Sequence, residues 1–122
     1  MTTQRKEKRR FPRLDCRIPL TLVSESLQAL EVEGHDLSLT GVGIESEHAT
    51  ELRAGDQISV LIEGFPPVSA QVQWKEGQRI GLHFCEGIGG IVGSWVGDIL
   101  ASRGVVFREI LPNVFPSAAM LL

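Results

Sequence analysis

The sequence predicts a mainly β domain, a small antiparallel barrel or sandwich followed by a C-terminal helix. Three observations lead there. Six short segments alternate apolar and polar residues with a period of two, as strands with one buried face do. Turn-forming residues separate these segments, drawing on thirteen Gly and six Pro in 122 residues. After residue 87 the apolar spacing changes from two to three-and-four, the spacing of a helix. A composition of 43% hydrophobic and 22% charged residues is that of one globular domain rather than a disordered chain.

In chain order, residues 1–10 have no apolar periodicity and are expected to stay extended or disordered until something holds them. Ile18, Leu20 and Leu22 alternate with Arg17, Pro19, Thr21 and Val23 in a first strand, in which Pro19 suggests an edge or a strand start. A second strand is expected around Leu30–Leu37 and a third at Thr40-Gly41-Val42-Gly43-Ile44. Glu47–Asp56 is expected to be a loop with room for one helical turn, ending on the turn signal Ala54-Gly55-Asp56. Ile58, Val60 and Ile62 form a fourth strand before the breaker Gly64-Phe65-Pro66-Pro67. Val68, Ala70, Val72 and Trp74 form a fifth. After a hairpin turn at Glu76-Gly77, Ile80, Leu82 and Phe84 form a sixth. Ile88, Ile91, Val92, Trp95, Val96, Ile99 and Leu100 then mark an amphipathic helix over 88–103, stopped by Gly104. Gly89, Gly93 and Gly97 recur every four residues. They form either a ridge for close approach to the barrel or to a second copy of the chain, as in a homodimer, or a loop before a helix that starts near Ser94. The tail Leu111–Leu122 is apolar but contains Pro112 and Pro116, so it cannot be one helix.

The net charge of −3 hides an asymmetry. Residues 1–17 hold seven basic and two acidic side chains, and the remaining 105 hold five basic and thirteen acidic. A cationic arm is joined to an acidic body, and such an arm is solvated, docks on its own body or captures an anion. No apolar run is long enough to cross a membrane and no secretory signal is visible. Cys16 and Cys85 fit neither a disulfide framework nor a metal site, which suits reduced thiols in a cytoplasmic protein. His35, His48 and His83 stand in no metal-binding or catalytic motif, and no phosphate loop or paired carboxylates are evident, so neither an enzyme nor a metal protein is expected.

Two segments do suggest chemistry. Arg9-Arg10-Phe11-Pro12-Arg13 is an RxxxR set with a further arginine inside it, and Asp36-Leu37-Ser38-Leu39-Thr40-Gly41 is a DxSxxG set in the turn between the second and third strands. Arginine presents a planar fork of donors suited to phosphate and to the O6/N7 edge of guanine. A carboxylate suits the N1–H and N2–H donors of guanine, Ser38 can donate, and Gly41 permits a positive φ or a close approach. By itself the second set also reads as a plain turn in which Asp36 and Ser38 satisfy local backbone groups.

Together, and with Val72-Gln73-Trp74 and Arg79-Ile80-Gly81-Leu82-His83-Phe84 downstream, these segments resemble the PilZ domain family from about Arg9 to Phe84. The resemblance implies a six-stranded antiparallel β-barrel with a C-terminal α-helix that binds the bacterial second messenger cyclic di-GMP. It divides the chain into a basic arm at 1–13, a barrel at 14–86, and a helix with an apolar tail at 87–122. Carried over by position, Arg9 and Arg13 would contact phosphate and guanine, with Arg10 beside them. Asp36, Ser38 and Gly41 would form the barrel side of the pocket. Trp74 would either line that surface or, in period with Val72, belong to the core. The expected function is a cyclic di-GMP receptor without catalysis or cofactor, signalling by ordering of its arm to an unidentified downstream protein. The alternatives are a protein-interaction module independent of nucleotide and, more weakly, a nucleic-acid or anionic-surface binder. DNA is not expected as a partner, because the body is acidic and the arm has no aromatic besides Phe11.

Overall fold

The computed structural model describes residues 11–25, 28–47 and 51–110. Six strands, β1 (Leu14–Ser24), β2 (Ala29–Leu37), β3 (Gly41–Glu45), β4 (Gln57–Leu61), β5 (Val68–Glu76) and β6 (Arg79–Phe84), close into an antiparallel barrel in the order β1-β2-β3-β6-β5-β4. Alternation places Ile18, Leu20 and Leu22, then Ile58 and Val60, Val68, Ala70 and Val72, and Ile80, Leu82 and Phe84 on the inside, all buried.

β1 is longer than its apolar pattern implied, and Pro19 lies within it rather than at its start, on a flank that is locally an edge. The pairing explains this. Pro19 faces Glu33 of β2, but β4 joins β1 only along Thr21–Ser24, so one flank of Pro19 has no partner strand that needs an N–H. The β5–β6 hairpin turns through Gly77, whose φ of 62° is in the left-handed region, so Glu76 and Arg79 pair across it.

The amphipathic stripe after residue 87 is not one helix. It forms α1 (Ile88–Val92) and α2 (Trp95–Ser102), followed by a short α3 (Phe107–Ile110). The break has a local cause. The Ser94 side chain accepts from the Val96 N–H at 3.1 Å and donates to the Ile91 carbonyl at 2.7 Å, capping one helix as the other ends. The stripe survives because both helices bury their apolar face in the core cluster that they share with the barrel, through Ile91, Trp95, Val96 and Leu100. The proposed glycine ridge does not exist as a continuous surface. Gly89 and Gly93 are exposed, whereas a Cβ on Gly97 would lie 1.8 Å from the Val92 carbonyl oxygen, so Gly97 permits the tight joint between the helices. Gly104 does end α2, with φ 95°. The tail from residue 111 lies outside the described residues, and no described helix is long and apolar enough to cross a membrane.

Two irregularities in pairing position the outer surface. Between β2 and β3 the register passes from Gly34↔Ile44 to Asp36↔Gly43, leaving His35 as an extra residue. Between β5 and β6 it passes from Val72↔Leu82 to Trp74↔Gly81, leaving Gln73 extra. Each extra residue inverts the in-out alternation that follows it.

Candidate functional site

Strict alternation from Val32 and Gly34 would point Asp36 into the core, and alternation from Val72 would do the same to Trp74. The bulges at His35 and Gln73 turn both outward. Trp74 is 47% exposed and belongs to the surface, which resolves the two sequence-based placements of that residue. Asp36 is partly exposed at the end of β2.

These two side chains end up in one row across four strands, Asp36–Gly43–Gly81–Trp74, through the pairs Asp36↔Gly43, Gly43↔Gly81 and Gly81↔Trp74. Three strand spacings, about 14 Å, separate the backbones of the two end residues, and both side chains reach in along the row from there. The middle of the row has no side chains. The Asp36 carboxylate leans over Gly43, where a Cβ would lie 2.5 Å from Oδ2, and the Trp74 indole lies over Gly81, where a Cβ would lie 2.2 Å from Nε1. The result is a trough of about 230 Å³ with a backbone floor, a carboxylate at one wall and an indole at the other. Sequence reasoning singled out neither Gly43 nor Gly81. Their recurrence on the outward face of adjacent strands was visible, but not that they would be paired.

Arg13 lines the Asp36 wall, and its guanidinium Nη1 donates to Asp36 Oδ1. This ion pair joins the last residue of the RxxxR set to the first of the DxSxxG set. It leaves Asp36 Oδ2 and four guanidinium N–H groups for other partners. Gly41 also lines the trough, and its lack of a side chain is a demand of the barrel: a Cβ there would lie 2.2 Å from the Leu82 carbonyl oxygen. Close approach, not a positive φ, is therefore its role.

Ser38 is 2% exposed, between the buried Leu37 and Leu39, and is not among the residues lining the trough. Its hydroxyl accepts from the Thr40 N–H at 3.1 Å and lies 3.1 Å from Thr40 Oγ1, while its own N–H donates to the Gly41 carbonyl at 2.9 Å. It holds the turn that carries Asp36 and Gly41. Arg9 and Arg10 lie outside the described residues. His83 is exposed on the outer face of β6 and lines the trough with Arg79.

A larger depression of about 400 Å³ opens where β1, β2 and β4 meet the loop at 51–56. Its charged lining residues are Glu25, Glu51 and Asp56, with no basic side chain, so it is unsuited to an anion. Burial, with the negative charges of Asp36 and Asp15 adding to it and Arg103 opposing, pushes the Cys16 thiol up, so it stays protonated at neutral pH. Cys16 and Cys85 are both free thiols. Among the described residues no group of three His, Cys, Asp or Glu side chains is arranged to hold a metal ion.

A PilZ domain family model matches residues 7–99 of the chain. No curated protein matches it in sequence. Among solved structures, the fold is similar to the PilZ domain of CeSA from a cellulose-synthesizing bacterium, with TM-score 0.58 and 12% identity over 72% of this chain and 97% of that one. It is similar to the PilZ domain of YcgR from Escherichia coli with c-di-GMP, with TM-score 0.58 and 20% identity over 88% of this chain and 97% of that one. A crystal structure of YcgR in complex with c-di-GMP gives TM-score 0.56 and 21% identity over 88% of this chain, which covers 50% of that longer one. At these identities the likeness is one of fold.

Proposed function

The chain belongs to the PilZ domain family, and on that premise we propose that it is a receptor for cyclic di-GMP, a binding module whose output is a change of surface. The observation that carries this reading is the convergence of Arg13, Asp36, Gly41 and Trp74 on one trough. The ligand has two guanines and two phosphates, and the trough offers a partner to each kind of group. Asp36 Oδ2 accepts from guanine N1–H and N2–H, and Trp74 offers a face on which a base stacks. The free N–H groups of Arg13, with Arg9 and Arg10 of the arm, meet phosphate oxygens. Ser38 acts by holding the turn. The c-di-GMP in the YcgR structures supports the choice of ligand.

Parallel calorimetric titrations with cyclic di-GMP, GTP and duplex DNA test this reading, which expects saturable binding to cyclic di-GMP alone. Heat only with DNA, or with none of the three, would overturn it. Asp36→Ala is expected to cost about tenfold in cyclic di-GMP affinity, since the lost acceptor is partly offset by the release of Arg13 toward phosphate. Cyclic di-AMP binding should change little, because adenine has no N1–H or N2–H to lose. Equal binding of the two dinucleotides to the unsubstituted protein would remove this role for Asp36.

Signalling, in this proposal, runs through the arm. Seven basic side chains within residues 1–17 repel one another, and a bound dianion between arm and barrel offsets that repulsion. Ordering costs about 1–2 kcal/mol per residue fixed, so a few charge-assisted contacts suffice for a short segment, which then presents a new surface to a downstream protein. Amide hydrogen exchange of residues 5–13 should slow when cyclic di-GMP is added. Strong protection before addition, or no gain afterwards, would exclude the arm as the output.

A further inference from the structure

The trough contains a second arginine that belongs to neither motif. Arg79 opens β6 and faces outward two residues before Gly81, about 7 Å along the strand, and its side chain lines the trough together with Trp74 and Asp36. Both of its cross-strand neighbours are acidic, Glu45 on β3 and Glu76 on β5. Opposite charges in such positions ordinarily pair. Here they do not: the ion pairs among the described residues are Arg13–Asp36, His35–Glu33 and His35–Glu45, and the Glu45 carboxylate lies 3.4 Å from His35 Nδ1. Arg79 has neither an ion pair nor a side-chain hydrogen bond among the described residues.

We infer that Arg79 is a specificity residue: its guanidinium donates to O6 and N7 of a guanine stacked on the indole of Trp74, at the wall opposite Asp36. This deepens the cyclic di-GMP reading and rests on it. The carboxylate reaches in from β2 over Gly43 and the indole from β5 over Gly81, so a ligand with two bases meets the two walls with different parts. A purine lying on the indole turns its O6/N7 edge sideways, in its own plane, where a planar fork meets it in two hydrogen bonds. Adenine presents an amino donor at the O6 position, which faces the arginine donors without a match. Phosphate has a cation in Arg13 at the Asp36 wall, which leaves the Arg79 guanidinium for the base.

The test compares the unsubstituted protein, Arg79→Ala and Arg79→Lys in calorimetric titrations with cyclic di-GMP and with its 7-deazaguanine analogue, which has lost N7. Thermal unfolding of each variant serves as the check on folding, and an exposed, unpaired side chain should leave it unchanged. Arg79→Ala is expected to weaken cyclic di-GMP binding about tenfold. Arg79→Lys should recover only part of this, since an ammonium reaches O6 and N7 without the planar fork that fits both at once. The 7-deaza analogue should bind the unsubstituted protein more weakly, and Arg79→Ala should then cost less than it does with cyclic di-GMP, because only the O6 contact is left to lose. Full affinity in Arg79→Ala, or losses from substitution and analogue that simply add, would overturn the assignment while leaving the receptor reading intact. No binding of cyclic di-GMP to the unsubstituted protein would overturn both.

Discussion

Arg13→Ala is expected to weaken cyclic di-GMP binding roughly ten- to hundredfold, from the roughly 1.5–3 kcal/mol of a charge-assisted hydrogen bond. Two losses combine in this one substitution. The trough loses a cation with four unused donors, and Asp36 loses the guanidinium that holds its carboxylate over Gly43. Stability should barely change, because the Arg13 and Asp36 side chains are 34% and 20% exposed and partly exposed ion pairs contribute at most about 1 kcal/mol. Arg13→Lys keeps the charge and loses the fork, so its affinity should fall between the two. Binding by the unsubstituted protein should also weaken as salt rises, and less steeply in Arg13→Ala. Unchanged affinity in Arg13→Ala, measured calorimetrically, would remove the Asp36 wall from the site.

Trp95→Ala should have the largest effect on stability, about 3–5 kcal/mol, against the roughly 5–15 kcal/mol that holds a domain folded. Trp95 is 1% exposed where α2 meets the barrel. Its indole N–H donates to the Val60 carbonyl at 3.3 Å, and its ring meets Phe84 edge-on, with centroids 6.4 Å apart and planes at 88°. Truncation leaves a cavity between α2, β4 and β6 and takes a donor from a buried carbonyl. Trp95→Phe keeps most of the volume and should cost less, which separates packing from the hydrogen bond. Urea unfolding measures both. A loss under about 1 kcal/mol for Trp95→Ala would mean that α2 opens independently of the barrel.

The two tryptophans show how far local pattern reaches. Trp95 sits in a three-and-four stripe with Ile91 and Leu100, and its burial follows from that spacing even though the helix is broken at Gly93-Ser94. Trp74 sits in an equally regular alternation with Val72, yet ends on the opposite face. A helix stripe tolerates a local break because both pieces still pack into the same core. A strand does not tolerate an insertion, since its period is two and one extra residue inverts every side chain after it.

The sequence by itself determined the number of the strands and their places along the chain, the inward residues of the first, fourth and sixth, the turn from Asp36 to Gly41 and the cationic segment that precedes the barrel. Each of these is written in neighbours a few residues apart: alternation, turn chemistry and charge runs. Only the tertiary structure decided that Asp36 and Trp74 face the same outer surface, that Gly43 and Gly81 pair between them, and that Arg79 lines the same trough without an ion pair among the described residues. Cross-strand register is a property of two segments at once. The place where His35 or Gln73 is left over depends on which partner residues are already paired on either side, and no short stretch of either strand contains that information.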